Sequence, residues 1–250
     1  MKLPAVSLLP RMRRLLVLAV AVLMGGFGAG LAATAPAGAV AGLPGVDVSH
    51  YQGTINWSSV KAAGIQFAYI KATEGTTVID SQFATNYVGA YNAKLIRGAY
   101  HFARPSSSSG ATQATYFVSH GGAWSADNLT LPGAVDLEGT CSGLSQSAMV
   151  SWIHDFANTY KAKTSRDVVI YTTASWWSSC TGGNTGFGST NPLWVAHWGV
   201  SSPTKPAGWG VYTFWQYADS GTVSGISGNV DHDTFNGSSA RLLALANNTP

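Results

Sequence analysis

Ala134-Val135-Asp136-Leu137-Glu138 is an apolar run that turns acidic at alternate positions and stops at Gly139. A strand rises roughly 3.3 Å per residue and alternates its faces, so residues two apart point the same way. Val135 and Leu137 then bury on one face. Asp136 and Glu138 project together from the other, with side-chain origins about 6–7 Å apart. Two carboxyls at that spacing raise each other's proton affinity, and apolar walls raise it further. One carboxyl kept protonated beside one kept ionised is the equipment of acid–base hydrolysis, of glycosidic bonds above all. Only 10% of the 250 residues are charged, and Glu74 and Glu138 are the only glutamates. Acids are therefore scarce, and a pair in an apolar strand is harder to read as surface decoration. Capping of the following loop is the competing explanation.

Outward from this run, an apolar strand, a loop and an amphipathic helix recur. Strands are expected at 44–48, 67–71, 98–102, 133–138, 168–172, 193–197, 211–217 and 229–231, and helices at 57–63, 81–93, 111–119 and 145–162. In the last helix Ala148, Trp152, Asp155, Phe156 and Thr159 follow three-and-four spacing, with Ser145 as N-cap. Strands alternating with helices imply a parallel sheet with right-handed crossovers. After the fifth strand the helical signal fades. Eight strands suit an α/β barrel that is irregular in its last third.

In a parallel barrel the C-terminal strand ends share one rim, where function collects. The polar residues expected there are Asp47, Glu74, His101, Asp136, Glu138, Tyr171, His197, Gln216, and Asp231 with His232 and Asp233. The other acids, Asp80, Asp127, Asp155, Asp167 and Asp219, fall in helices or loops and read as solvated charges. Tyr51, Tyr100, Tyr171, Trp194, Trp198, Trp215 and Tyr217 flank the same rim. Flat rings bury the apolar faces of sugars and offer a polar edge, although core packing claims some of them.

Several motifs in order carry a family resemblance. They are Gly45-Val46-Asp47-Val48-Ser49-His50-Tyr51-Gln52-Gly53, Ile55-Asn56-Trp57, Phe67 to Gly75, Arg97 to Phe102, Asp136-Leu137-Glu138, Trp215-Gln216-Tyr217 and Val230-Asp231. Together they resemble glycoside hydrolase family 25, the Chalaropsis-type lysozymes or N,O-diacetylmuramidases, over nearly all of the chain beyond residue 41. The resemblance implies an irregular TIM-like barrel of about five β/α units plus three further strands. It implies hydrolysis of the β-1,4 bond between N-acetylmuramic acid and N-acetylglucosamine in bacterial peptidoglycan. By motif, Glu138 corresponds to the general acid, Asp136 to its partner carboxylate, and Asp47 and Asp231 to the other acids of the site. Tyr51, Tyr100, Tyr171, Trp194, His197, Trp215, Gln216 and Tyr217 are the expected substrate contacts. His197 stands where the family often has tyrosine. Asp136 either attacks the anomeric carbon or orients the substrate's own N-acetyl group, and the sequence leaves both open.

The first 41 residues read as a secretory signal. Lys2, Arg11, Arg13 and Arg14 precede an apolar stretch from Leu15 to Leu23, and Ala39-Val40-Ala41 is an A-x-A cleavage site. The alternative is an uncleaved membrane anchor. Residues 42–250 are then one secreted, extracellular catalytic domain, free of the membrane after cleavage and expected to act as a monomer. The whole chain is +3, but its four leader cations leave ten Lys and Arg against eleven acids, net −1. Nucleic-acid binding has no basis in that balance. Cys141 and Cys180, an even pair in an exported chain, are expected to form one disulfide, with two free thiols as the alternative. No cofactor or metal is expected, because neither H-x-H nor H-E-x-x-H occurs. A metal-dependent hydrolase and a catalytically inactive sugar-binding barrel are the rival functions. The presence of Glu138 argues against the second.

Overall fold

The structure, a computed structural model, describes residues 40–249. The expected secretory segment lies outside them, apart from Val40 and Ala41. The strands are β1 Leu43–Val48, β2 Phe67–Glu74, β3 Val78–Ile79, β4 Ile96–Phe102, β5 Ala134–Asp136, β6 Val169–Thr172, β7 Leu193–Ala196, β8 Phe214–Ala218 and β9 Asp231–Phe235. The α-helices are α1 Trp57–Ala62, α2 Phe83–Asn92, α3 Gly110–Phe117, α4 Gln146–Thr164, α5 Ala174–Thr181 and α6 Ser239–Asn247.

The sheet runs β1-β9-β8-β7-β6-β5-β4-β2, and pairing of β1 with β2 closes it into an eight-stranded barrel, with β3 attached to the end of β2. Five β/α units are followed by three further strands, the arrangement expected above. All ring pairings are parallel except those of β9, which runs antiparallel to both β1 and β8. The eighth strand was expected over 229–231 and to end at the rim. It instead begins there, because an antiparallel strand enters at the end where its neighbours leave. Asp231 therefore reaches the rim from the opposite chain direction, directly across from Asp47.

Alternation along the strands builds two cores. Phe67, Tyr69, Ala134, Val169, Trp194, Phe214 and Phe235 fill the barrel interior. Val135, Leu137, Ile170, Val195 and Trp215 face outward under α3, α4 and α5. Gly98 is required inside, because a Cβ there would meet the Tyr69 ring at 2.2 Å. Tyr69 in turn stacks on Trp194, with centroids 4.7 Å apart.

α4 begins where Ser145 accepts a hydrogen bond from Ala148 N and ends at left-handed Ser165. Its buried stripe is Met149, Trp152, Ile153, Phe156, Ala157 and Tyr160, rotated from the face expected above. Asp155 is exposed on this helix, and its carboxylate accepts from Ala111 N at the start of α3. That placement suits the positive end of the α3 dipole. Truncation of a buried ring such as Phe156 costs about 3–5 kcal/mol. α6 lies at the barrel end opposite the rim: Trp124 donates to Ala246 O, and Arg166 donates to Leu245 O. Among the described residues, no helix is long and apolar enough to cross a membrane.

Candidate active site

The rim holds a cleft of about 390 Å³, a size typical of small-ligand sites. Asp47, Asp136, Glu138 and Asp231 all line it, with Tyr51, Tyr100, Tyr171, Trp194 and Gln216. β5 ends at Asp136, two residues earlier than expected. Leu137 still donates its N–H to Tyr171 O, and Thr172 Oγ1 donates to Leu137 O. The extended chain thus continues far enough to keep Asp136 and Glu138 on the same face. Gly139 follows with φ +73, a left-handed conformation that glycine adopts without strain and that turns the chain away beyond Glu138.

The carboxyls differ in surroundings. Asp136 is buried on the floor, and its Oδ1 has no donor among the described residues. Burial, then the charges of Glu138 and Asp47, raise its pKa well above the ordinary carboxylate range, against a smaller pull from Lys71. Glu138 is exposed at the lip. Partial burial raises its pKa, and the cations Lys71 and Arg104 pull it back. Asp47 is raised by burial and by Asp233. Asp231 is pushed up to about 8, by burial first and then by Asp47. All four of these acids are thus held above the ordinary carboxylate range, which keeps protons available in the cleft near neutral pH.

Gln216 organises the opposite wall. Its Nε2 donates to Asp47 Oδ2 at 2.7 Å, while its Oε1 accepts from Tyr171 OH and Trp198 Nε1, each at 2.9 Å. The exposed Tyr51 ring stacks on His50, with centroids 4.2 Å apart. His50 N and Nδ1 both bond Asp80 Oδ2. Asp80 is therefore a buried anchor of the rim rather than the solvated charge expected from its loop position.

Three expected contacts lie outside this cleft. On β8, Phe214 and Gln216 point into the barrel, so Trp215 and Tyr217 point the other way by simple alternation. Trp215 is buried beneath the helices and donates to His197 O, while Tyr217 OH pairs with His232 Nδ1. His197 lies just past β7 on the outward parity. It lines a neighbouring depression with Trp198, where its Nδ1 accepts from Thr204 N. His101 also faces outward, bonded to Thr73 and Gln113 between Phe117 and Phe156. Burial lowers its pKa to about 4.

Sequence reasoning passed over Lys71, Phe102, Asp219 and Asn229, which also line the cleft. Lys71 bonds Glu74 at 2.7 Å, and Arg104 bonds the same carboxylate. Burial works against ionisation of Glu74, but the two cations outweigh it and hold its pKa low. A lone lysine in the apolar run Phe67–Thr73 was the available signal. The expected Cys141–Cys180 disulfide is present and ties the loop after Glu138 to α5.

A barrel with an acid-lined rim suits glycoside hydrolysis, and the profile of "Glycosyl hydrolases family 25" matches residues 46–226. The chain belongs to that family. It is 62% identical over 213 residues to lysozyme M1 of Streptomyces globisporus, covering 83% of this chain and 72% of the relative. It is 46% identical over 201 residues to the N,O-diacetylmuramidase of Chalaropsis sp, covering 75% and 95%. The crystal structure of the bacterial lysozyme from Streptomyces coelicolor superposes with a TM-score of 0.82 at 61% identity, covering 84% of this chain and 99% of that one.

Proposed function

We propose that this chain is a secreted, monomeric lysozyme that cleaves the β-1,4 bond from N-acetylmuramic acid to N-acetylglucosamine in peptidoglycan. Glu138 is its general acid. The observation that carries the reading is the ending of β5: a buried Asp136 and an exposed Glu138 share one face of the cleft that also collects Asp47 and Asp231. Glu138 at the lip reaches the glycosidic oxygen and donates its proton as the bond breaks. Positive charge then develops at the anomeric carbon, and the neighbouring acids, when ionised, stabilise it. The exposed Tyr51 and the half-buried Tyr100 offer rings to the sugar faces, while Trp194, expected as a third contact, is buried against Tyr69 beneath them.

Asp136 is the helper: its carboxyl lines the cleft two residues before Glu138, a place from which it orients the substrate's acetamide as the internal nucleophile. An analogue whose acetamide is replaced by a non-nucleophilic group should then be inert; ordinary turnover of it would sink this part. Residues 1–41 direct export, and 42–250 are the mature catalytic domain.

The decisive experiment is mass spectrometry of fragments released from purified peptidoglycan. New reducing ends on muramic acid are expected, and new ends on glucosamine or cleaved peptides would refute the reading. In parallel, Glu138→Gln should lower lysis by roughly 10²–10⁴-fold, the usual loss on removing a general acid, with thermal unfolding little changed. Near-normal lysis by that variant would remove Glu138 from the role.

A further inference from the structure

One buried acid has no part in that chemistry. Asp233 follows Asp231 by two on β9 and points into the barrel one layer beneath the cleft floor. It is fully buried. Its Oδ1 accepts from Trp194 Nε1 at 2.8 Å, and its Oδ2 has no donor among the described residues. Asp47 pairs with Asp231 across β1 and β9, which makes it a diagonal neighbour of Asp233 on the same interior face, and each carboxyl shifts the proton affinity of the other. Asp47 is held from the side by Gln216 at 2.7 Å.

Two ionised carboxylates in contact inside a dry barrel repel each other and leave oxygens unpaired, whereas one proton between them makes a strong hydrogen bond. We propose that Asp233 and Asp47 share one proton as an acid–carboxylate pair, and that Asp233 is a positioning residue that fixes Asp47 toward the cleft from below. The proposal rests on the placement of Asp47 in the active site given above. Burial raises Asp233 to about 7, while its neighbour Asp47 lowers it and is itself raised, so the shared proton lies toward Asp47 with Asp233 accepting. The titratable groups around the pair are Asp231, Asp136, Glu138, Tyr69, Tyr100 and Tyr171, with Lys71 across the cleft. All but Lys71 are acids or phenols, and Lys71 is bonded to Glu74; a phenol adds negative charge only at high pH. None of the main influences on either carboxyl is a cation.

Asparagine at 233 removes the need for the shared proton, since its amide donates to an ionised Asp47 while its carbonyl accepts from Trp194. Leucine can do neither. Asp233→Leu should lower kcat roughly 10- to 100-fold, the size of one hydrogen bond to a charged group, with KM nearly unchanged. Asp233→Asn should restore most of that loss. Infrared difference spectra at neutral pH, wild type minus Asp233→Asn, should show one carboxylic-acid carbonyl band, because the amide removes the need for the shared proton. A missing band overturns the shared proton. Equal kcat losses in the two variants, or none in the leucine variant, overturn the positioning role. If Asp233→Leu fails to fold, the asparagine variant and the infrared band still decide the question. Near-normal turnover of Asp47→Asn would overturn the placement of Asp47 in the active site, and the positioning role with it. The infrared band would still report the pair.

Discussion

Replacement of Asp231 by asparagine should stabilise the protein while impairing it. Asp231 lies opposite Asp47 and is partly buried at the rim. Its folded pKa is about 8, against about 3.9 in an unfolded chain. Below pH ~4 the carboxyl is protonated in both states and makes no difference to stability. As pH rises from about 4 to about 8, the unfolded chain has released this proton and the folded chain has not. Stability therefore falls with pH across that window and levels off above it. Each tenfold difference in proton affinity is worth about 1.4 kcal/mol, so a fully dry site would carry on the order of 6 kcal/mol. Asp231 is partly solvated, and screening by water brings the expected figure down to about 2 kcal/mol. Asparagine keeps the shape and an acceptor but cannot ionise. For a domain of this size that corresponds to a melting point about 4–8 °C above wild type at alkaline pH, shrinking toward zero near pH 4. Calorimetric melts of both proteins across the window test this, with lysis assayed alongside. A stability gap independent of pH, or one that grows on acidification, would refute the reasoning.

Other outcomes follow from separate parts of the molecule. Replacing Cys141 and Cys180 by serine opens a link across 39 residues, which the chain-entropy estimate puts at about 4 kcal/mol. Lysis should weaken even where the barrel stays folded, because Cys141 is three residues past Glu138; denaturant melts and turbidity assays measure both. His101, neutral and buried, titrates at about 4. The unfolded chain takes up this proton first, so this contribution to stability is lost as pH falls from about 6.5 to about 4. Imidazole NMR signals should remain those of a neutral ring at pH ~5. Exhaustive chelation should leave lysis intact, since no cluster of three or more metal-ligating side chains occurs among the described residues; a loss restored by a divalent cation would overturn this.

The barrel was legible because its strands are short apolar runs with polar ends, and because Val135 and Leu137 alternate with Asp136 and Glu138. All four expected helices lie within two residues of their observed bounds, 57–62, 83–92, 110–117 and 146–164. α5 was missed, since Ala174-Ser175-Trp176-Trp177-Ser178-Ser179-Cys180-Thr181 has little helix propensity. Packing of Trp176 and Trp177 against the core overrides that. The reversal of β9 was not legible at all. Direction is a property of the connection, and Asp219 to Val230 is a loop without helical pattern. At the site, the acids could be found by position, but the aromatics could not be sorted. The neighbouring parity of Trp215 and Gln216 separates an outer-core ring from a cleft residue, and alternation identifies the face only once the strand's register in the barrel is known.

The reversed last strand also decides how the molecule can be held. β1 starts at Leu43 on the end away from the rim, and β9 delivers the chain back to that same end at Phe235, where α6 follows. Both ends of the barrel's chain therefore leave on the side opposite the cleft. A linker to a solid support, or a fused partner, joined after α6 would hold the enzyme with its catalytic mouth outward.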